Sequence, residues 1–268
     1  MLELIKNKKV NIYTNLNGNN PLIPIATDEL FLRQVLTNNE CILHIHSLEN
    51  SAILGTPDTR VPFFKEALNS FYNNNLIPAV RNIGGLGIIA DTGVVSFSII
   101  MNINPSTFSL NAGYNLMTVF PEASSKIQAV EISNSYCPGD FDLSIGGKKF
   151  AGIAQRKVKE NVVVSIYLSL FGNQQNRTRI MKEYYETGLK DQEIKYKYPK
   201  IDISCMDTLE NLLNKTLTTK ELLERMLRVL HSLNCEIEKG NYSNKMIEDY
   251  EEIFKQTKQR NSKLLHGE

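Results

Sequence analysis

The 268 residues carry 30 Lys and Arg against 29 Asp and Glu, a formal charge of +1 at pH 7, so bulk charge offers no footprint for nucleic acid or an anionic membrane. With 42% hydrophobic and 22% charged residues the chain reads as an ordinary globular protein with a sizeable core, and no apolar run is long enough to span a bilayer. The start, MLELIKNKKVNIYTN, lacks the apolar stretch of a secretory signal, and the cysteines at 41, 137, 205 and 235 form neither a CxxC pair nor a zinc-finger spacing; reduced thiols in a cytoplasmic protein are the expectation.

After a polar, asparagine-rich start, Thr27 is placed to cap a helix from Asp28 to about Leu36, because Leu32, Val35 and Leu36 repeat at helical spacing behind two acids. Cys41 to His46 alternates as a strand, with Ser51 to Leu54 as its expected partner. Pro62 opens a helix whose apolar positions are Phe64, Leu68 and Phe71. A strand from Leu76 to Val80 runs into Arg81-Asn82-Ile83-Gly84-Gly85-Leu86-Gly87. Ile88 to Ala90 is extended, Asp91-Thr92-Gly93 turns, and Val94 to Asn102 alternates as a long strand. A helix around Ser109 to Phe120 and a strand near Ile127 to Ile132 follow. Asp142 to Ile145 and Lys148 to Ala154 are strands separated by Gly146-Gly147, a strong hairpin signal because a two-residue turn needs positive φ. Lys159-Glu160-Asn161 breaks the pattern before the β-branched strand Val162 to Leu170. Short strands, tight turns and about two helices imply an α+β fold, a largely antiparallel mixed sheet flanked by helices.

The last third is helical. Asp207 with Glu210, and Thr218 with Glu221, fit a capping box. Leu222, Leu223, Met226, Leu227, Leu230 and Leu233 form one apolar stripe; Met246, Tyr250, Ile253 and Phe254 form another. No repeat and no Pro/Ser-rich linker interrupts the chain, so one domain over 1–268 is expected, a catalytic core at about 27–203 with a helical C-terminal segment, 206–268, packed on it.

Among candidate sites, Cys137 precedes Pro138 and Gly139 and therefore lies on a turn, and the hairpin brings Lys148 and Lys149 back beside the strand that follows it; a thiol near a cation is a candidate nucleophile. From the residues alone, a solvent-exposed pair is the preferred reading of Lys148 and Lys149. The Gly84-Gly85-x-Gly87 loop fits neither glycine fingerprint, since extended sequence rather than a helix follows it. It is either a tight connection or a backbone that approaches a substrate, with Arg81 beside it. His44 and His46 share one face of a strand without a carboxylate or cysteine at metal-ligand spacing, so no metal is expected. His231 and His266 belong to the tail, and no histidine base is apparent. Cys41 and Cys235 read as packing residues; Cys205 precedes a helix start, where a dipole could activate it, with nothing else converging.

Together these segments carry a resemblance. Arg81-Asn82-Ile83-Gly84-Gly85, then Asp91-x-Gly93 and Ser96-Phe97-Ser98, resembles the glycine-rich loop and strand of the biotinyl/lipoyl protein ligase superfamily, and Gly147-Lys148-Lys149-Phe150-Ala151-Gly152 to Arg156 resembles its lysine motif. Ser135-Tyr136-Cys137-Pro138-Gly139-Asp140-Phe141-Asp142 is similar to the octanoyl-[glycine cleavage H protein]:protein N-octanoyltransferases, the lipoyl amidotransferases. The resemblance spans roughly residues 27 to 170. It implies Cys137 as the acyl-thioester nucleophile and Lys149 as the lysine that favours the thiolate and helps proton transfer. It also implies an acyl and donor site lined by Arg81 and the backbone of Gly84, Gly85, Gly139 and Gly152. The implied donor is octanoylated or lipoylated glycine cleavage H protein; the acceptor is the lipoyl domain of a 2-oxoacid dehydrogenase acyltransferase subunit. No cofactor is implied, because exchanging one amide for another is near thermoneutral. The related ATP-dependent lipoate–protein ligases carry a second arginine and a histidine around the glycine loop. Here Asn82 follows Arg81 and no histidine occurs between Arg81 and Gly93, which favours transfer over ligation. Transfer from an octanoylated acyl carrier protein, and a non-catalytic lipoyl-domain-binding role, are the other readings. An octanoyl chain requires an apolar slot, which Val95, Phe97 and Ile99 would line if they are not core.

Overall fold

In a computed structural model, which describes residues 4–103, 118–190, 192 and 194–267, the strands and longer helices follow one another as β1 (Lys9–Gly18), α1 (Leu22–Arg33), β2 (Glu40–Leu48), β3 (Asn50–Leu54), α2 (Phe64–Ala67), α3 (Asn69–Tyr72), β4 (Ile77–Val80), β5 (Ile88–Asp91), β6 (Val94–Asn102), β7 (Ile127–Ala129), β8 (Leu143–Ile145), β9 (Lys148–Val158), β10 (Asn161–Ser169), α4 (Gln174–Leu189), α5 (Leu209–Leu213), α6 (Thr219–Ser232), β11 (Glu236–Lys239) and α7 (Asn244–His266). Eight strands form one sheet in the order β11-β1-β2-β6-β10-β9-β8-β7, and β4-β3-β5 form a second. In the large sheet the pairs β11–β1 and β1–β2 are parallel and every pair from β2 across to β7 is antiparallel; in the small sheet β3 is parallel to β4 and antiparallel to β5. This is the expected α+β, largely antiparallel mixed sheet.

Alternation sorts the central strands onto two faces. Val95, Phe97 and Ile99 of β6, with Val162, Val164 and Ile166 of β10, pack with Leu222, Met226 and Leu230 of α6. Ile42, Ile100 and Val163 face the other way, with Ala26, Leu30 and Phe31 of α1. Helices on both faces explain why β10 reads as an almost unbroken β-branched run rather than an alternating one. Each of the buried stripe side chains Leu222, Met226 and Leu230 contributes about 1.5–3 kcal/mol by burial, whereas Leu227 is exposed. No helix among the described residues is long and apolar enough to cross a membrane.

Several local expectations are corrected. The first helix begins at Leu22, not at a Thr27 cap: Asn20 Oδ1 accepts from the Leu22 N–H, Pro24 is tolerated in the first turn, and the Thr27 hydroxyl donates back to Ile23 O. It also ends at Arg33, leaving Val35 exposed. Strand β3 does not pair with β2, because only Glu49 separates them, too little for a hairpin turn; the chain crosses instead to the small sheet. The helix after Pro62 is two single turns, α2 and α3. The strand at 127 stops at Ala129. The cap before α5 is Thr208, whose side chain accepts from Asn211 N, while Asp207 binds the Thr208 N–H and the Asn211 amide. Thr218 caps α6 as expected. Of the helix expected at 109–120, residues through 117 lie outside the described residues; Thr118 and Val119 are helical. Strands β1 and β11 and helix α4 carry no expectation from pattern, the two strands because their partners lie far away in sequence.

Candidate active site

Strand β4 delivers the glycine loop. Arg81 N donates to Leu54 O, and the loop then passes so close to Gly55 that a β-carbon there would lie 1.9 Å from Gly85 O. Gly85 has φ +90°, and a β-carbon on it would meet Arg81 Nη2 at 2.7 Å. Both positions therefore require glycine. Asp58, fully buried below, takes the Gly55 N–H at 2.7 Å and the Tyr185 hydroxyl at 2.6 Å. Burial pushes its carboxyl up to about 6, against the pull of those donors.

Cys137 rides on a turn anchored by Tyr136. The Tyr136 ring is wholly buried, with its hydroxyl bonded to that of Tyr167 and to the Gln174 amide. Half-buried Cys137 donates its S–H to Leu86 O at 3.2 Å. Arg81 Nη2 donates to the same carbonyl at 2.8 Å and stands 3.9 Å from the sulfur. The loop and the turn thus meet at one backbone carbonyl.

The Gly146-Gly147 hairpin forms as expected, with φ of +58° and +76°. It separates the lysine pair. Lys148 is exposed and reaches Asp207, whereas Lys149 is 1% exposed, so the surface reading fails for the second lysine. Lys149 Nζ is paired with Asp142 at 2.9 Å and donates to Ser135 Oγ at 3.3 Å and to the carbonyl oxygen of Cys137. Asp142 in turn accepts from Gly139 N at 3.2 Å and Ile132 N at 3.3 Å. Burial raises its carboxyl above the ordinary range, although Lys149 and these N–H groups oppose the shift. Gly152 leaves room for the ammonium: a β-carbon there would lie 3.3 Å from Lys149 Cε.

Cys137, Lys149, Arg81, Gly84, Gly85, Gly139 and Gly152 all line one cavity of about 380 Å³, open where Gly84, Gly85 and Asp140 are exposed. Its floor is a row across the sheet, Gly152–Tyr167–Ser96–His46, in which each residue is the register partner of the next. Three interstrand steps make that row about 14 Å long. Ile25, Leu48, Ile53, Ile88 and Val163 supply apolar wall. Val95, Phe97 and Ile99 are core on the opposite face. His44 is bound by Asp28 at 2.6 Å and Asn15 at 3.0 Å, and His46 stacks on it. Among the described residues no group of three or more His, Cys, Asp or Glu is arranged to hold a metal. Burial pushes the Cys41 thiol up to about 12 and that of Cys205 to about 11, the opposite of activation.

Two acids gain a role only in the structure. Asp142 closes the Ser135-to-Asp142 stretch, and the Gly-Gly hairpin brings it back toward Lys149 and Gly152, a pairing that the register through the turn implies. Asp58 follows Gly55 by three residues, but its link to the distant glycine loop has no local signature.

Residues 20–231 match the profile of the lipoyl protein ligase A/B catalytic domain. The chain is 36% identical over 252 residues to the octanoyl-[GcvH]:protein N-octanoyltransferase of Macrococcus caseolyticus, covering 92% of each. It is 35% identical over 260 residues to that of Staphylococcus aureus, covering 93% of this chain and 92% of the relative. Among solved structures, a lipoate-protein ligase A bound with ATP superposes with a TM-score of 0.70 at 15% identity, over 93% of this chain and 94% of that one. The bipartite lipoate protein ligase of Thermoplasma acidophilum also gives 0.70 at 15% identity, over 98% and 99%. At such identities the structural likeness shows the fold alone.

Proposed function

This chain belongs to the lipoyl protein ligase A/B catalytic-domain family, among its octanoyl-[GcvH]:protein N-octanoyltransferases, and on that footing we propose that it moves an octanoyl or lipoyl group from a lysine of glycine cleavage H protein to a lysine of a lipoyl domain through a thioester on Cys137. The observation that carries the cysteine step is the placement of its sulfur at the cavity, 3.9 Å from the Arg81 guanidinium, with the Lys149 ammonium on the carbonyl of the same residue.

The Cys137 thiolate attacks the acyl-lysine amide; a C–S bond forms, the C–N bond breaks, and the departing amine takes a proton from Lys149. The acceptor lysine then attacks the thioester, C–N forms, C–S breaks, and the proton returns to Lys149. One amide replaces another, so no nucleotide is consumed. Arg81 supplies the counter-charge to the thiolate, and Asp142 holds Lys149 in place without touching the acyl group. An acyl chain lying on the sheet floor buries its methylenes at about 0.8 kcal/mol each, enough to favour eight carbons over two. In this reading the chain is one domain, with the tail from 206 packed on the core.

The test is mass spectrometry of the protein mixed with octanoylated H protein and no nucleotide. The expected result is a labile octanoyl adduct on Cys137 that is absent in Cys137→Ala and moves to an added lipoyl domain. An undiminished transfer rate in Cys137→Ala would overturn the thioester route.

A further inference from the structure

Beside the acyl cavity lies a second pocket of about 310 Å³ in which Arg33, Arg156 and Arg260 surround a single carboxylate, Glu29. Glu29 is nearly buried and already engaged, by Arg33 at 2.7 Å, by Arg156 at 2.5 Å and by the Asn82 amide at 3.4 Å. Among the described residues Arg260 has no carboxylate of its own. It comes from the C-terminal helix α7 and donates to the carbonyls of Val80 and Arg81 and to Thr56 Oγ1. Burial and the like charge of Arg156 pull its guanidinium below the ordinary value. Three cations on one carboxylate leave about two positive charges uncompensated in a concave, polar site. In a chain whose overall charge is only +1, that is a local concentration of one sign.

The pocket is placed where a protein substrate must dock. Glu29, Asn82 and Arg156 line both it and the acyl cavity, so one wall divides the two. The cavity opens at the exposed Gly84 and Gly85, two and three residues beyond Asn82. A lysine whose acyl group enters there brings the surface around it against this wall. Planar guanidinium forks suit a carboxylate, and pairs at such a rim act mainly on encounter and register.

Resting on the amidotransferase reading, we propose that this pocket receives an acidic side chain of the acylated protein substrate, a carboxylate next to the modified lysine, and so orients the carrier on the mouth of the acyl cavity. Arg33 and Arg260 are then positioning residues for the protein partner and make no contact with the acyl group.

The experiment compares two octanoyl donors, octanoylated H protein and the small thioester S-octanoyl-N-acetylcysteamine, each scored by the adduct on Cys137. In Arg33→Gln/Arg260→Gln the KM for the protein donor is expected to rise about ten-fold with kcat within two-fold, while the rate with the small thioester is unchanged. Added salt should raise the wild-type KM and that of the variant much less. Arg33→Gln alone, half-exposed and bonded to Glu29 rather than to the loop carbonyls, should show a smaller rise of the same kind and guards against a folding defect in the double variant. An unchanged KM overturns the proposal. So does a parallel loss with the small donor, which would mean that Arg260 acts by bracing the Arg81 backbone. So does competition by ATP against the protein donor in the wild type but not in the variant, which would make the pocket a phosphate site. Failure of wild-type protein to form the adduct from either donor would instead sink the thioester reading itself.

Discussion

The Lys149 ammonium rests on the carbonyl oxygen of Cys137, not on its sulfur, and the cation facing that sulfur is Arg81. On the proposed thioester route the two positive groups hold different tasks, charge balance for the thiolate and proton transfer at the amine. In Arg81→Gln the rate at which iodoacetamide alkylates Cys137 at pH 7 should fall about ten-fold. Lys149→Gln should slow alkylation less while lowering transfer between the two proteins more. The two alkylation rates, measured side by side at one pH, decide it.

The pair Lys149–Asp142 is almost fully buried, at 1% exposure for each side chain. Removing one partner leaves a buried charge alone, so Lys149→Gln and Asp142→Asn should each cost about 3–5 kcal/mol in urea unfolding. Asp142→Asn/Lys149→Met should recover most of that loss and still be inactive. A stable but dead double variant would separate the structural task of the pair from the chemical one.

Gly85 holds φ +90°, with Arg81 Nη2 where a side chain would start. Gly85→Ala strains the loop and displaces the guanidinium. A shift of that kind beside a reacting sulfur should lower the rate of Cys137 acylation about a hundred-fold, with a melting temperature only a few degrees lower. Gly84→Ala, where the added methyl meets open space, is its control.

Asp58 sets a pH dependence of stability. Its carboxyl is raised by burial to about 6 in the fold, so the folded protein holds this proton more tightly than the unfolded chain. The stabilisation is complete below the unfolded value near 4 and is lost as the pH rises through about 6, a difference on the order of 3 kcal/mol. Asp58→Asn, which still accepts a hydrogen bond, should lose that component. Melting curves at pH 5 and 7.5 should then differ less for the variant than for the wild type.

The residues of the site were legible because each breaks a local rule that a strand or helix would obey. Cys137 stands before a proline and a glycine, and Lys149 follows a pair of glycines that only a tight turn uses, with φ of +58° and +76° confirming it. What the pattern concealed was polarity in an unexpected place: Lys149 reads as a surface residue, and only its pairing with Asp142 in the interior makes its burial affordable. The partners of strand β3 are hidden for a related reason, since alternation identifies a strand without naming its neighbour.

By itself the order of residues determined the hairpin, the turn that carries the sulfur, the tight glycine loop and the α+β class, all of which follow from backbone preferences over a few neighbouring positions. Only the tertiary structure decided that Arg81, Cys137 and Lys149 share one cavity, that Val95, Phe97 and Ile99 face away from it, and that α7 brings Arg260 to its side. Those outcomes depend on which strands become neighbours and which helix covers which face. Contacts between segments as far apart as residues 81 and 260 are set by the packing of the whole chain, which no local window contains.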